Sequence, residues 1–165
     1  MERYGAFTYA DGRVYVGNIT KGVWEGRGKF TWPNGDCYEG DFRGSKKCGR
    51  GTMKYADGRT YVGDWGDDVF HGKGKLTNAN GEIYEGDFAN GKLHGKGEIK
   101  GEGLCSFEGE FVAGLKQGQG RETFSDGSIY EGSYMLGLKD WYGLRSDFCK
   151  KSWVNDHRDM ERADL

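Results

Sequence analysis

Tyr84-Glu85-Gly86-Asp87-Phe88-Ala89-Asn90-Gly91-Lys92-Leu93-His94-Gly95-Lys96-Gly97 is one register of a frame that returns every 23 residues along the chain. Its opening aromatic recurs at Tyr15, Tyr38, Tyr61, Tyr84, Phe107 and Tyr130. The glycine two residues later recurs at Gly17, Gly40, Gly63, Gly86, Gly109 and Gly132, and a third column holds Gly28, Gly51, Gly74, Gly97, Gly120 and Gly143. A fixed short period is the mark of a stacked repeat architecture, in which each unit buries its apolar side only against its neighbours. Residues Tyr4 to Val14 read as the back half of such a unit; five full units run from Tyr15 to Ile129, and a sixth begins at Tyr130.

Within a unit two strands are legible. Tyr38, Gly40 and Phe42 alternate with Glu39 and Asp41, and Gly26, Gly28, Phe30 and Trp32 alternate with Arg27, Lys29 and Thr31. A strand's side chains point to opposite faces with a period of two, so rings and glycines fall on one face and charges on the other. The pairs Asp11-Gly12, Asn34-Gly35, Asp57-Gly58, Asn80-Gly81 and Asp126-Gly127 link the units. Asn-Gly and Asp-Gly between alternating segments are strong hairpin signals, which predicts type I′ turns between units and longer loops, such as Ala89 to His94, inside them. The fold class expected is all-β: a single-layered, twisted antiparallel sheet of stacked hairpins over 1–145. A C-terminal segment, 146–165, caps its end. Ser146 is suited to start a short capping helix over Asp147 to Arg162.

Composition agrees with a thin aromatic seam. Leu, Ile, Val and Phe together make only 28 of 165 residues, while there are 31 Gly, 10 Tyr, 9 Phe and 5 Trp. That aliphatic share would suit disorder if the net charge were large, but it is −2. The glycines sit in columns and so report backbone geometry. Fitted beneath a ring, Gly86 has no room for a larger side chain, and Gly86→Val is expected to clash with a packed aromatic. On the other face, acids on strand one (Glu39, Asp41, Asp64, Glu85, Asp87) meet bases on strand two (Arg27, Lys29, Arg50, Lys73, Lys75), a self-neutralised and solvated surface. The frame breaks at Gly101-Glu102-Gly103-Leu104-Cys105, at Gly44, one residue early, and at Asp68, where glycine is usual.

The same numbers exclude several functions. Near-neutral charge argues against a nucleic-acid binder held by a basic face. No apolar run approaches the length of a membrane span, and no secretory leader is legible, so the four cysteines (Cys37, Cys48, Cys105, Cys149) read as reduced thiols of a cytoplasmic protein. Glu25, Cys48, His71, His94 and Gln117 share one repeat position, but column neighbours two strands apart stand roughly 9.6 Å from each other, too far to share a zinc ion, so no metal and no cofactor are expected. No phosphate loop, nucleophile elbow or zinc-protease helix is present, and the chain is read as non-enzymatic.

The frame Y-x-G-x-[FW]-x-x-G-x-x-x-G-x-G, in six registers over Tyr4 to Gly143, resembles the MORN (membrane occupation and recognition nexus) repeat. The resemblance implies a non-catalytic module of stacked hairpins with an aromatic-lined groove, serving as a scaffold in cytoskeletal, ciliary or membrane-junction assemblies. A single layer cannot bury both faces, so Tyr38, Phe42, Tyr61, Trp65, Tyr84, Phe88, Phe107 and Phe111 are the candidate groove, with an extended peptide or an amphipathic helix as the protein partner. A homodimer through a terminal repeat fits the same architecture. A phospholipid-associated module is the less favoured alternative, since only Lys46-Lys47 and Lys150-Lys151 offer adjacent bases. A regulatory segment of a larger kinase or methyltransferase is the other.

Overall fold

The computed structural model describes residues 2–101 and 105–139. The strands are β1 (Glu2–Thr8), β2 (Val14–Thr20), β3 (Val23–Thr31), β4 (Cys37–Arg43), β5 (Lys46–Lys54), β6 (Thr60–Gly66), β7 (Val69–Thr77), β8 (Ile83–Ala89), β9 (Lys92–Lys100), β10 (Ser106–Val112), β11 (Leu115–Thr123), β12 (Ile129–Met135) and β13 (Leu138–Lys139). Among the described residues they form one antiparallel meander in strict chain order, not closed into a barrel. The all-β, single-layered expectation is met; the helix expected after Ser146 lies outside the described residues.

The register explains the glycine columns. Gly17 opposes Gly28, Gly28 opposes Gly40, and the row continues through every strand to Gly132. Strand one's tyrosine folds back along its own strand and lies over two of these glycines: a methyl built on Gly28 would stand 2.7 Å from the Tyr15 ring. The hydroxyl then donates to a main-chain carbonyl three residues on, Tyr15 to Asn18 at 3.0 Å, Tyr38 to Asp41 at 3.1 Å, Tyr61 to Asp64 at 2.8 Å and Tyr130 to Ser133 at 3.1 Å. A buried phenol needs such a partner.

A second device was not foreseen. Between Gly40 and Asp41 the pairing jumps from Gly51 to Cys48, which leaves Gly49 and Arg50 as a bulge on β5. Gly49 has φ of 55°, a left-handed conformation that glycine adopts without steric cost. The Asp41 carboxylate accepts the N–H of Arg50 at 3.3 Å, and Asp64 serves Lys73 in the same way at 3.0 Å. The acid column on strand one therefore does more than balance charge, because Asp41, Asp64 and Asp87 each satisfy a donor that a bulge sets free.

Two sequence expectations are corrected. The tight turns lie inside the units: Asn90-Gly91 joins β8 to β9 with φ of 51° and 76°, both central residues positive as a type I′ turn requires, and Asp67-Asp68 does the same at 46° and 72°. The Asp-Gly and Asn-Gly links between units are wider loops. In 9–13, only Gly12 has positive φ, the Tyr9 N–H bonds Arg13 O at 2.8 Å, and the Asp11 carboxylate accepts the Arg13 N–H at 3.1 Å. The Asx bond holds Asp11 in a negative-φ turn and leaves only the glycine left-handed. The second correction concerns Gly86. Tyr84 turns away from it, its hydroxyl donating to Glu82 Oε2 at 2.6 Å, where Asn78 Nδ2 also donates at 3.0 Å. Asn78 stands where other units put Tyr9, Trp32, Tyr55 or Phe124, so this site offers a polar partner in place of a ring. A side chain on Gly86 would meet the backbone of Gly97 and, at 2.5 Å, the Lys96 carbonyl, and not an aromatic ring.

Burial of the tyrosines predicts an alkaline transition. Burial pushes the Tyr15 and Tyr84 hydroxyls up to about 12 and raises Tyr38 and Tyr61 as well. Below the unfolded value of about 10, both states keep these protons and the packing counts in full; above it the unfolded chain sheds protons that the folded chain holds, so stability falls as pH rises toward the raised values. Circular dichroism and phenolate absorbance followed together across that range should change in one cooperative step. Gradual ionisation of every tyrosine with no loss of strand signal would contradict the packing.

Candidate functional site

The ring face is built from three rows. The first runs through Tyr15, Phe30, Tyr38, Met53, Tyr61, Leu76, Tyr84, Ile99 and Phe107, each opposite the next. The second holds Phe42, Trp65, Phe88, Phe111 and Tyr134, one per unit, with the strand-two residues Trp24, Lys47, Phe70, Leu93 and Lys116 beside them. The third comes from the residues that open the wide loops: Tyr9, Trp32, Tyr55 and Phe124. In four units the two rings of strand one meet edge to face, Tyr38 with Phe42 at 5.1 Å between centroids, Tyr61 with Trp65 at 5.3 Å, Phe107 with Phe111 at 5.2 Å and Tyr130 with Tyr134 at 5.4 Å, the arrangement the ring quadrupole favours. Phe70 stacks on Tyr61 at 3.7 Å.

Of the eight residues singled out from sequence, Tyr38, Phe42, Tyr61, Trp65, Phe88, Phe107 and Phe111 are buried, and Tyr84 is half-buried. They are brought to one face, as expected, but seven of them form its floor. Half-buried Tyr9, Trp24, Trp32, Tyr55 and Phe70 lie beside that floor and keep part of their surface open. Their signal was present in the sequence: Tyr9, Trp32 and Tyr55 stand at the same 23-residue spacing, one residue beyond strand two. Trp24 is fixed by its indole N–H, which donates to the Tyr9 hydroxyl at 2.8 Å, and by stacking on Tyr15 at 5.2 Å.

Two lysines enter this apolar face. The Lys47 ammonium lies 4.8 Å over Trp65 and 5.5 Å from Trp32, with the Asp68 carboxylate 3.9 Å away. Burial lowers its pKa and Asp68 opposes that. Asp68 replaces the usual turn glycine, keeps its left-handed φ, and also accepts the Lys47 N–H at 3.0 Å. The Lys116 ammonium sits 4.3 Å over Phe107 and pairs with Glu122 at 2.7 Å, where Glu122 takes the place held by Phe30, Met53, Leu76 and Ile99 in other units. Cations over ring faces are attracted by the quadrupole, more strongly as water is excluded.

The opposite face is charged. Lys73 pairs with Asp87 at 2.6 Å, Arg121 with Glu131 at 3.1 Å and Arg50 with Asp64 at 3.2 Å. Exposed pairs of this kind contribute about 0–1 kcal/mol each. The Lys73 ammonium, with help from the Lys96 N–H, holds the Asp87 carboxyl below its ordinary value. Glu98 departs from the pattern, standing where a base is expected and directly between Glu85 and Glu108. Across the units, His71 and His94 are both exposed, and among the described residues no group of His, Cys, Asp or Glu gathers to hold a metal ion.

The TCP domain of SAS-4 (dCPAP) of Drosophila melanogaster, solved in complex with a proline-rich motif of Ana2 (dSTIL), is similar over 80% of this chain and 77% of that one, at 15% identity and a TM-score of 0.45. Among curated proteins no sequence matches. The family model described as the MORN repeat matches residues 15–37, 38–58, 61–83, 84–103 and 107–129, beginning each time at, and never between, the opening aromatics. With those matches covering well over half of its length, and with each matched unit forming the same bulged hairpin over a glycine row, the chain belongs to the MORN-repeat family.

Proposed function

We propose that this protein is a non-enzymatic scaffold that holds a polypeptide segment, extended or as an amphipathic helix, along its ring face, within a cytoplasmic assembly tied to the cytoskeleton or a membrane. The observation that carries the reading is the half-buried row Tyr9, Trp24, Trp32, Tyr55 and Phe70, which continues the floor outward and lies beneath no second layer among the described residues. Large aromatic side chains with one face packed and one face open are the groups that dominate binding energy at protein interfaces. At about 4.8 Å per strand the described ribbon is roughly 60 Å long, enough for several such anchors in line. The phospholipid alternative draws less support: Lys46 is paired with Asp67 at 3.3 Å, and Lys47 is drawn into the rings.

The test is capture of interacting proteins from native cells, followed by measured affinity for the recovered segment. Trp32→Ala and Tyr55→Ala should each weaken that affinity about tenfold or more, with the melting temperature little changed, while Glu39→Ala on the opposite face should leave it intact. Equal effects from both faces would overturn the reading. Co-flotation with anionic liposomes at physiological salt, lost on neutralising Lys46, would favour the lipid alternative instead.

A further inference from the structure

The opening ring of a unit has a fixed place, over two glycines of the row and between the second ring of its own unit and that of the next. Tyr38 lies between Phe42 and Trp65, 5.1 Å from each. Tyr61 lies between Trp65 and Phe88, 5.3 Å from each. Phe107 lies between Phe111 and Tyr134, at 5.2 and 5.0 Å. The place between Phe88 and Phe111 belongs to Tyr84, and Tyr84 is not in it. Its hydroxyl is held by Glu82, and it has none of the ring contacts that Tyr38, Tyr61 and Phe107 make. The two ladders of rings therefore stop on either side of a gap.

The floor of the gap is Gly86 and Gly97. A methyl built on Gly51 or Gly74 would run into the ring of Tyr38 or Tyr61, whereas for one built on Gly97 the nearest side-chain atom is on the Phe111 ring, at 3.5 Å. The rim is lowered at the same point, since Asn78 and Gly101 stand where other units put Tyr9, Trp32, Tyr55 or Phe124. Leu76 and Ile99, which oppose Tyr84, are half-buried, while Phe30 and Met53, which oppose the inward tyrosines, are buried.

The other units show what this place accepts: a phenol ring whose hydroxyl donates to the carbonyl three residues past the ring's own position. Asp87 O is the counterpart of Asp41 O and Asp64 O, and it receives no hydroxyl from Tyr84, which donates to Glu82. An unfilled ring place forfeits dispersion contacts with both walls, and a ring supplied from outside restores them. We propose that the gap is a binding slot for one tyrosine side chain of the segment docked on the ring face. The ring enters between Phe88 and Phe111 over Gly86 and Gly97, and the hydroxyl donates to Asp87 O. The source of that tyrosine rests on the ring-face reading above; the slot itself is testable with no partner present.

The probe is p-cresol, the tyrosine side chain by itself, followed through the amide resonances of Gly86 and Gly97 in the whole chain. It should bind with a Kd on the order of 1 mM, and toluene, which lacks the hydroxyl, about threefold to tenfold more weakly. Tyr84→Ala should bind p-cresol at least as well as the wild type. The double variant Asn78→Phe/Glu82→Ser installs the residues found at the matching positions of the last unit, Phe124 and Ser128, where the Tyr130 hydroxyl reaches Ser133 O. It should draw Tyr84 into the slot, abolish p-cresol binding and raise the melting temperature. Resonances unmoved in both the wild type and Tyr84→Ala, or a double variant that binds like the wild type, would overturn the proposal. So would binding by Tyr84→Ala alone, which would mean that the chain's own tyrosine fills the slot. Absent p-cresol binding beside an intact effect of Trp32→Ala on partner affinity would sink the slot and spare the ring-face reading.

Discussion

Gly40→Val is expected to lower the melting temperature by roughly 2–12 °C, which corresponds to about 1–3 kcal/mol for a chain of this size. Even the first carbon of the new side chain would stand 2.5 Å from the Gly51 Cα, 2.5 Å from the Tyr38 hydroxyl and 2.7 Å from the Arg50 carbonyl. Two of these are backbone atoms of the next strand and have no rotamer by which to yield. Relief requires the β4–β5 pair to separate at the glycine row and the Tyr38 hydroxyl to move off its acceptor, Asp41 O, on the same strand. Thermal melts of Gly40→Val and Gly5→Val side by side isolate the effect, since Gly5 has room where Gly40 has none. A Gly40 variant that melts with the wild type would refute the close approach of these strands.

The second large effect is expected from Tyr61→Ala. Tyr61 has no exposed surface, stacks on Phe70 at 3.7 Å and meets Trp65 and Phe88 edge-on at 5.3 Å each. Removing a buried ring costs about 3–5 kcal/mol, because the lost burial and the remaining cavity add. Here the loss is shared between units, since Phe88 belongs to the next strand-one hairpin. Tyr61→Phe keeps the ring and removes only the hydroxyl's bond to Asp64 O, so it should cost about 1 kcal/mol. Chemical denaturation of the pair measures the ring and the hydroxyl separately. Near-equal losses for the two substitutions would mean that the hydroxyl's bond, and not the ring, carries the site.

The period of 23 made the hairpin array legible, because Tyr38, Gly40 and Phe42 return with both their spacing and their face intact. The separation of rings from charges was legible for the same reason. The bulge was not. Gly49 and Gly51 look alike in sequence, yet the first is glycine for its left-handed backbone and the second for the ring above it. Alternation alone cannot tell a conformational glycine from a steric one. The placement of the turns was misread because Asn-Gly serves two geometries: at Asn90-Gly91 both residues are left-handed, whereas at Asn80-Gly81 the Asn80 side chain accepts the Glu82 N–H at 3.0 Å and only the glycine is left-handed. For the candidate site, sequence selected the face but ranked rings by their regularity. The most regular rings, Tyr38 and Tyr61, are the ones the core consumes. Those that reach outward, Trp32 and Tyr55, lie just past the strand ends; the alternation already puts Trp32 on the ring face, and ranking by regularity passes it over.

The turns give the ribbon two unlike borders. Along one border, two-residue reversals such as Asn90-Gly91 leave no slack, so an added amino acid there would displace a strand against its neighbour. Along the other, five-residue loops such as 32–36 and 55–59 close on their own Asn and Asp side chains, and Asp36 ties the first to the Ala56 N–H of the second at 2.8 Å. That second border is where foreign sequence could be spliced in, a tag, a probe or a new binding loop, once per unit and at even intervals, with the sheet behind it left undisturbed.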